Sequence, residues 1–335
     1  MTDRTPSATT EVAPGIWSIA VPFPNPLGYT ICYAIQVDKG VVLVDLGWDS
    51  DEGWDALNRG LAVANTRVDE VLGAVITHVH PDHYGLAARL KASSDAWLAV
   101  HVAERSHIAG DESAKDDYLD QMADWLRDCG CPPSEIAGLD MDASDIRSRI
   151  ATVWPDFDLV DDDVVANTAG TLKVVHTPGH TPGHLCIVDE GRKLAFTGDH
   201  VLPRVTPNVS YRPDTDPDPL ADYEASLRRL RPYGSYQVLP AHEWSFDGLG
   251  TRIDTLLEHH RARLNEVETA VAGGARTVWE VAQSVTWHRD FSTLNYRARR
   301  AALGETNSHL IRLSSLGRVV DGFGVPRSWS MRIGE

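Results

Sequence analysis

The sequence is short of cysteine and of long apolar runs. Only four of its 335 residues are cysteine, too few for a disulfide framework, so we expect four reduced thiols. It contains no run of about 18 apolar residues, which predicts that no segment spans a membrane. The N-terminal residues also lack the apolar stretch of a secretory signal. Together these absences predict a cytoplasmic protein that does not associate with membranes.

Positive charge is scarce relative to negative charge. Lys and Arg total 31 against 48 Asp and Glu, for a net charge of −17. A surface this acidic repels polyanions, which disfavours nucleic acid as the main partner, although a local basic patch could override the total. The hydrophobic fraction of 42% is that of an ordinary globular protein with a sizeable core.

Hydrophobic patterning predicts a layered α/β protein. Short β-branched segments bounded by Gly and Pro predict strands at residues 15–20, 30–37, 40–46, 72–77, 96–101, 172–176, 185–188, 193–197 and 236–239. Apolar residues at helical spacing predict helices at residues 51–64, 84–91, 219–230 and 253–271. Asp and His residues follow several of the strands, and strand ends commonly carry catalytic groups in such folds.

Residues 104–165 interrupt this order of strands and helices. They are polar and acidic, with no strand signal before Val164. One apolar helix face holds Tyr118, Met122, Trp125 and Leu126. A helix packed on the core would explain this face. We favour a helical insertion that covers the site and lines a substrate pocket, because the segment follows the candidate metal-binding region.

The C-terminal residues 251–335 form a second region of distinct pattern. Helices are predicted at residues 277–284, 295–302 and 307–316, followed by a short strand at 317–320. Three helices and a strand or wing are typical of a small winged-helix-like domain. Its apolar helices also offer a surface for homodimerisation.

Four candidate metal ligands fall within one six-residue segment. His78-Val-His80-Pro-Asp82-His83 directly follows a predicted buried strand. Neutral imidazole nitrogens and carboxylate oxygens bind Zn²⁺ and similar divalent metals. On a loop, His78 and His80 can face one metal while Asp82 and His83 turn toward a second. Pro81 disfavours a helix here and helps to fix the turn.

Three further segments place His or Asp after a strand. They are His176-Thr-Pro-Gly-His180-Thr-Pro-Gly-His184, Phe196-Thr-Gly-Asp199-His200 and Leu239-Pro-Ala-His242-Glu243. Each segment alone is a weak signal, because a polar residue at a strand end is usually structural. All of them together, in this order, are specific for a metal site.

This set of segments resembles the metallo-β-lactamase superfamily, which includes glyoxalase II, lactonases and related hydrolases. The resemblance covers roughly residues 10–250 and includes all five motifs of the family. It implies an α/β (α+β) protein with an αββα sandwich and a site at one edge of the two sheets. We therefore expect a flexible tail at residues 1–10, a catalytic domain at 11–250 with the insertion at about 104–165, and the C-terminal domain at 251–335.

The resemblance implies that seven side chains hold two metals, one on each side of a shared carboxylate. The expected ligands are His78, His80 and His180 for one metal, Asp82, His83 and His242 for the other, and Asp199 between them. Both ions are expected to be Zn²⁺ from the ligand type, although Fe or Mn also suits His and Asp ligands. Asp45, in the first motif, is expected to orient a ligand.

The expected mechanism is hydrolysis by a metal-bridging hydroxide, because two close metals lower the pKa of a shared water toward neutrality. Asp82 or Asp199 would accept the proton and return it to the leaving group. His184, Arg204 and Tyr211 are candidates for orienting these groups or contacting the substrate. Asp199 also argues against β-lactam hydrolysis, since the antibiotic-destroying branch of the superfamily usually lacks this bridging aspartate.

Two substrate classes compete. The acidic charge, the apolar insertion and the glyoxalase-like ligand set favour a small-molecule ester, thioester or lactone. The alternative is an endoribonuclease or phosphodiesterase, because residues 259–267 and 309–320 resemble the C-terminal part of lactamase-β-like endoribonucleases. A basic cluster lies in the same region and consists of Arg297, Arg299, Arg300, Arg312 and Arg318. A binding protein without activity is disfavoured because no expected ligand is missing.

Overall fold

The computed structural model describes residues 9–108, 112–138, 152–168, 171–211 and 217–332. The strands are β1 (Thr10–Ala13), β2 (Ile16–Pro22), β3 (Tyr29–Val37), β4 (Gly40–Val44), β5 (Val71–Val75), β6 (Trp97–His101), β7 (Phe157–Leu159), β8 (Leu172–His176), β9 (Leu185–Asp189), β10 (Leu194–Gly198), β11 (Gln237–Pro240), β12 (Val319–Gly322) and β13 (Ser328–Met331). The helices are α1 (Asp51–Val63), α2 (Pro81–Tyr84), α3 (Ala87–Ser93), α4 (Glu112–Asp128), α5 (Pro219–Arg229), α6 (Leu249–Ala272), α7 (Val278–Ser284) and α8 (Tyr296–Ser315).

Two sheets carry the fold. Strands β1 to β7 form one sheet in sequence order, and the second sheet has the order β11-β10-β9-β8. In the first sheet β1 to β4 are antiparallel neighbours, whereas β4 to β7 run parallel. In the second sheet β10 runs parallel to β11. The carboxyl ends of neighbouring parallel strands therefore meet at a common edge of each sheet.

Apolar layers on both faces of the sheets explain the continuous apolar strands. Between the sheets, Tyr33 of β3 packs with Ile187 and Phe196 of the second sheet. On the other face of β3, Cys32 and Ala34 pack in a layer that includes α1 and α3. A strand covered on both faces reads as an apolar run, because alternate residues are all buried. The predicted αββα class is confirmed.

The outer face of the second sheet packs on the C-terminal helices. Cys186 and Val188 of β9 share one apolar cluster with Trp125 of α4, Leu256 of α6 and Leu310 of α8. The tail and the second sheet thus have a common core. The domain boundary at residue 250 and the winged-helix character of the tail stay predictions.

Two predictions about secondary structure were wrong. Residues expected to form two helices near the C-terminus form the single helix α8. Gly304 lies in its middle, where an added Cβ would lie 2.7 Å from Ser210, so this glycine serves packing and does not end a helix. The short strand β7 lies within the region expected to lack strands, and pairs with β6.

The conformation expected at Pro81 was also wrong. Pro81 is the first residue of the one-turn helix α2, which carries Asp82 and His83. Proline suits the first helical position because the N–H that it lacks has no partner there in any case. In the described part of the chain, no helix combines the length and apolar character required to cross a bilayer.

A buried histidine pair joins α6 to α8. His260 Nδ1 and His309 Nε2 lie 3.2 Å apart, and Nδ1 of His309 donates to the carbonyl oxygen of Glu305 at 2.7 Å. Burial lowers the pKa of His309 to about 3 and also lowers the pKa of His260. The folded protein therefore holds this pair neutral, while an unfolded histidine titrates near about pH 6.5.

This pair predicts a loss of stability in mild acid. Its contribution is present above about pH 6.5 and is lost as the pH falls toward about 3, by roughly 1.4 kcal/mol per pH unit for each proton. Urea unfolding at pH 7.5 and 5.0 should show that His309→Gln destabilises the protein less at pH 5.0 than at pH 7.5. The exposed His288 provides the matched His288→Gln control. An equal loss for His309→Gln at both pH values would contradict the interpretation.

Candidate metal centre

The expected metal ligands lie on segments that follow strands. β5 leads into His78 and His80, β10 leads into Asp199, and β11 leads into His242. The loop between β8 and β9 carries His180. These segments are far apart in the sequence, and the fold brings them together where the two sheets end.

Three histidine nitrogens converge on one point. Nε2 of His78 lies 2.8 Å from Nδ1 of His80, and Nε2 of His180 lies 3.1 Å from the same atom. Nitrogens about 2.0–2.1 Å from a tetrahedral zinc ion are roughly 3.3 Å from one another. The three nitrogens are therefore spaced much as ligands of one metal would be, and they form one candidate group.

Asp82, His83 and His242 form a second group, and Asp199 lies between the two. Nε2 of His242 is 3.2 Å from Oδ2 of Asp82. Oδ1 of Asp199 is also 3.2 Å from Nε2 of His242, whereas its Oδ2 is 3.7 Å from Nε2 of His180. One carboxylate thus directs an oxygen toward each group, as a bridging ligand requires.

Buried atoms without hydrogen bonds show that a divalent metal fits here. Nε2 of His83 and Oδ1 of Asp199 are buried and make no hydrogen bond of acceptable geometry, although they lie 3.5 Å apart. Buried polar atoms in proteins are almost always bonded. A cation would satisfy both atoms, and imidazole with carboxylate suits zinc, iron or manganese.

The second ring nitrogen of four of these histidines has a fixed partner. The pairs are His78 Nδ1 with Thr77 Oγ1 at 3.1 Å, His83 Nδ1 with Asp45 Oδ2 at 2.8 Å, His180 Nδ1 with the Asn208 carbonyl at 2.7 Å, and His242 Nδ1 with the Tyr29 carbonyl at 3.0 Å. Such partners set the tautomer and the orientation of a ligating ring. The nitrogens that face the site are therefore held ready for a metal.

Asp45 links two of the strands that build the site. Its carboxylate accepts hydrogen bonds from the Thr77 backbone N–H at 2.8 Å and from the Thr77 hydroxyl at 2.9 Å, in addition to that from His83. Its φ of 60° lies in the left-handed region, which is uncommon outside glycine. The structure thus places Asp45 where the sequence predicted an orienting residue.

The two groups differ in their electrostatics. Burial, reinforced by the neighbouring histidines, lowers the pKa of His78 well below its usual range. Burial also lowers the pKa of His242, but the carboxylates of Asp199 and Asp82 outweigh this effect and raise it to about 10. Burial raises the pKa of Asp199, whereas His242 and His83 outweigh that and hold it well below the usual range. The carboxylates therefore stand at the second group, where they pair with the charged forms of its histidines, whereas the pKa of His78 in the first group is lowered.

Glu104 was missed by sequence reasoning. It lies in the 3-10 helix Val102–His107 after β6, in the region interpreted as insertion. It is fully buried and accepts the backbone N–H groups of Val79 and Gly183, each at 2.8 Å. The available signal was an acidic residue shortly after an apolar strand, as Asp45 is after β4.

The structure separates the candidates for substrate contact. His184 is fully buried, and its Nε2 accepts the backbone N–H of Asp199 at 3.2 Å. It therefore holds the backbone of a candidate ligand and is not placed to contact a substrate. The Arg204 side chain is 64% exposed and its Nε donates to Glu243, the residue after His242, at 2.9 Å. Arg204 is therefore the candidate that offers an exposed group beside the second metal group.

Tyr211 lies beside the C-terminal region. Its backbone N–H donates to the carbonyl of Gly304 in α8 at 3.0 Å. Tyr211 and Trp125 of α4 line a cavity of about 520 Å³ that Asn307 and Phe323 also border. Trp125 and Leu126 of α4 pack in the core shared by the second sheet and the C-terminal helices, as a helix packed on the core would. A cover over the site stays a prediction, and residues 109–111 and 139–151 of the insertion lie outside the described residues.

Comparison with known proteins identifies the class that this fold and site define. Residues 25–242 match the model of the metallo-beta-lactamase superfamily. The chain belongs to that superfamily and is one of its hydrolases, which confirms the resemblance seen in the sequence.

Two curated proteins and one solved structure illustrate what this chain is similar to. The probable metallo-hydrolase YqjP of Bacillus subtilis is 24% identical over 305 residues, which span 88% of this chain and 90% of that protein. The acyl-coenzyme A thioesterase MBLAC2 of Bos taurus is 32% identical over 146 residues, 43% of this chain and 47% of that protein. A beta-lactamase domain protein from Burkholderia ambifaria has a TM-score of 0.81 and 28% identity, and the match covers 98% of this chain and 96% of that one.

Gly198 provides a test of how the site is held. Its φ is 49°, and an added Cβ would lie 2.7 Å from Nε2 of His184 and 2.8 Å from Thr77. We expect Gly198→Ala to destabilise the protein by about 2–5 kcal/mol, from overpacking and left-handed strain together, and to lower its metal content. Chemical denaturation and elemental analysis measure the two effects.

Gly248→Ala is the matched control. Gly248 has a φ of 90° with nothing within 4 Å of an added Cβ, so alanine there adds backbone strain alone. If Gly198→Ala retained metal and stability as well as Gly248→Ala does, the close contact with His184 and Thr77 would not matter for the site.

Proposed function

We propose that the protein is a dinuclear metal-dependent hydrolase of small acyl substrates, namely esters, thioesters or lactones. The observation that carries the proposal is the convergence of seven predicted ligands into two groups that share Asp199. Zinc is the metal that we propose for both groups, from the ligand type. Bound metals of this kind would activate water as a nucleophile at neutral pH and polarise the attacked carbonyl.

Asp82 and Asp199 are the proposed catalytic carboxylates. Oδ2 of Asp82 accepts a hydrogen bond from the hydroxyl of Thr30 at 3.3 Å and lies 3.2 Å from His242. Asp82 is thus fixed at the edge of the site, where it can accept the proton released on attack and return it to the leaving group. Asp199 directs Oδ1 toward His242 and Oδ2 toward His180, and would in this way hold the two groups of ligands at a fixed spacing.

A thioester is the acyl bond that we favour. Relatives named acyl-coenzyme A thioesterase are similar to this chain over about two fifths of its length. That name describes the activity of those proteins. It supports a thioester substrate for this chain because all of the expected ligand-bearing segments are present.

The arrangement of the C-terminal arginines disfavours the nuclease alternative. Arg299 pairs with Glu135 at 2.9 Å, Arg312 pairs with Glu224 at 3.0 Å, and Nε of Arg318 donates to Glu268 at 2.9 Å. Three of the five arginines in the basic cluster are thus neutralised by acidic neighbours. A phosphate backbone would have to displace these partners, so we propose a small molecule as the substrate. Homodimerisation and a cytoplasmic location stay predictions.

Activity measurements test the proposed function. We expect the wild-type protein, with its metal content measured, to hydrolyse acyl thioesters, esters or lactones but not single-stranded RNA or bis-p-nitrophenyl phosphate. Asp82→Ala and Asp199→Ala should each lower kcat/KM roughly 10²–10⁴-fold, the usual contribution of a positioned acid or base. Asp38→Ala, at an exposed turn, is the control. Cleavage of RNA with no acyl hydrolysis would reverse the choice of substrate class.

Arg204 is the proposed contact for an anionic part of the substrate. Its guanidinium lies 5.7 Å from the ring centroid of Trp244 and has Nε occupied by Glu243. Arginine is well suited to phosphate and carboxylate groups. We expect Arg204→Gln to raise KM for acyl-coenzyme A about tenfold, a loss of roughly 1.4 kcal/mol. KM for the uncharged S-acyl-N-acetylcysteamine should stay unchanged, and an equal rise for both would remove Arg204 from charge recognition.

A further inference from the structure

Two buried glutamates each join backbone segments that carry metal ligands. Glu104 is the first. Its Oε2 accepts the N–H of Val79, which lies between His78 and His80, and its Oε1 accepts the N–H of Gly183, in the loop that carries His180. One carboxylate therefore ties together both segments that supply the first group of ligands.

Glu243 is the second, and it acts on the other side of the site. Its Oε2 accepts the backbone N–H groups of Arg204 and Val205, each at 3.0 Å, and its side chain is 3% exposed. Glu243 directly follows His242, and residues 204 and 205 follow Asp199 on the adjoining loop. This carboxylate therefore ties together the segments that carry His242 and Asp199, whose ligand atoms are 3.2 Å apart.

Neither glutamate lies among the candidate metal groups of the described residues. Glu104 accepts backbone N–H groups from two separate chain segments, and Glu243 accepts them from a loop remote in sequence. Both oxygens of a carboxylate accept hydrogen bonds. Glutamine has nearly the same shape, but its NH₂ group cannot accept a hydrogen bond. At Glu104, whose two N–H donors use different oxygens, glutamine would leave one buried N–H unpaired, at a cost of about 1–3 kcal/mol. At Glu243 both backbone donors share Oε2, so a glutamine oxygen could keep them, and alanine is the substitution that removes the contact.

We propose that Glu104 and Glu243 are positioning residues that set the two metal groups separately. Glu104 sets the spacing of His78, His80 and His180, and Glu243 sets the spacing of His242 and Asp199. This inference rests on the proposed function only in requiring that the wild-type protein binds two divalent metals. It predicts that damage to one carboxylate weakens one metal position and largely spares the other.

The test compares zinc binding by Glu104→Gln and Glu243→Ala, each serving as the matched control for the other. Zinc affinities are measured by competition with a chromophoric chelator, and anomalous diffraction from zinc-soaked crystals assigns the position that is lost. We expect a 10–100-fold weaker affinity at one position in each variant, as for other partners that orient metal ligands. Glu104→Gln should lose zinc beside His80, and Glu243→Ala should lose zinc beside His242.

A second variant keeps the test decisive if Glu104→Gln does not fold. Gly183→Ala adds a Cβ that would lie 2.7 Å from Cγ of Glu104, so it disturbs the same contact while keeping the carboxylate. It should also weaken zinc selectively beside His80. Equal losses at both positions, or no loss at either, would overturn the inference. A wild-type protein with fewer than two zinc ions would instead contradict the proposed function.

Discussion

The carboxylate of Asp199, whose side chain is 15% exposed, is the constraint on which the site depends. Burial disfavours its charge, so the surrounding structure must compensate it with cations or hydrogen bonds. His83 and His242 hold the pKa of this carboxyl well below its usual range, and Oδ1 makes no hydrogen bond of acceptable geometry, which leaves it available to a cation. Gly198 admits His184 and Thr77 close to the backbone at this point.

The topology explains why this compensation is available. Parallel pairing of β4 with β5 and of β10 with β11 aligns the ends of strands whose sequences are far apart. Asp45 then connects the end of β4 to Thr77 after β5, and the apolar layers on both faces hold the strands in register. The buried apolar layers thus lie next to the strand ends that carry the candidate ligands.

Sequence reasoning predicted the candidate ligands that the fold brings together, because their signal is local. His78 and Asp199 each follow an apolar strand, and a short motif of His and Asp is rare by chance. The single helix α8 was not foreseen, because Gly304 looks like a helix end unless its contact with Ser210 is known. Glu104 was missed for a similar reason, since its partners Val79 and Gly183 are brought to it only by the fold.

The two-metal claim follows from geometry that a single measurement can test. Crystals of the protein reconstituted with zinc should show two anomalous peaks about 3.5–4 Å apart. One peak should lie among His78, His80 and His180 and the other among Asp82, His83 and His242, each about 2.0–2.2 Å from its ligands. A single peak, or peaks away from Asp199, would contradict the dinuclear centre on which the proposed function is built.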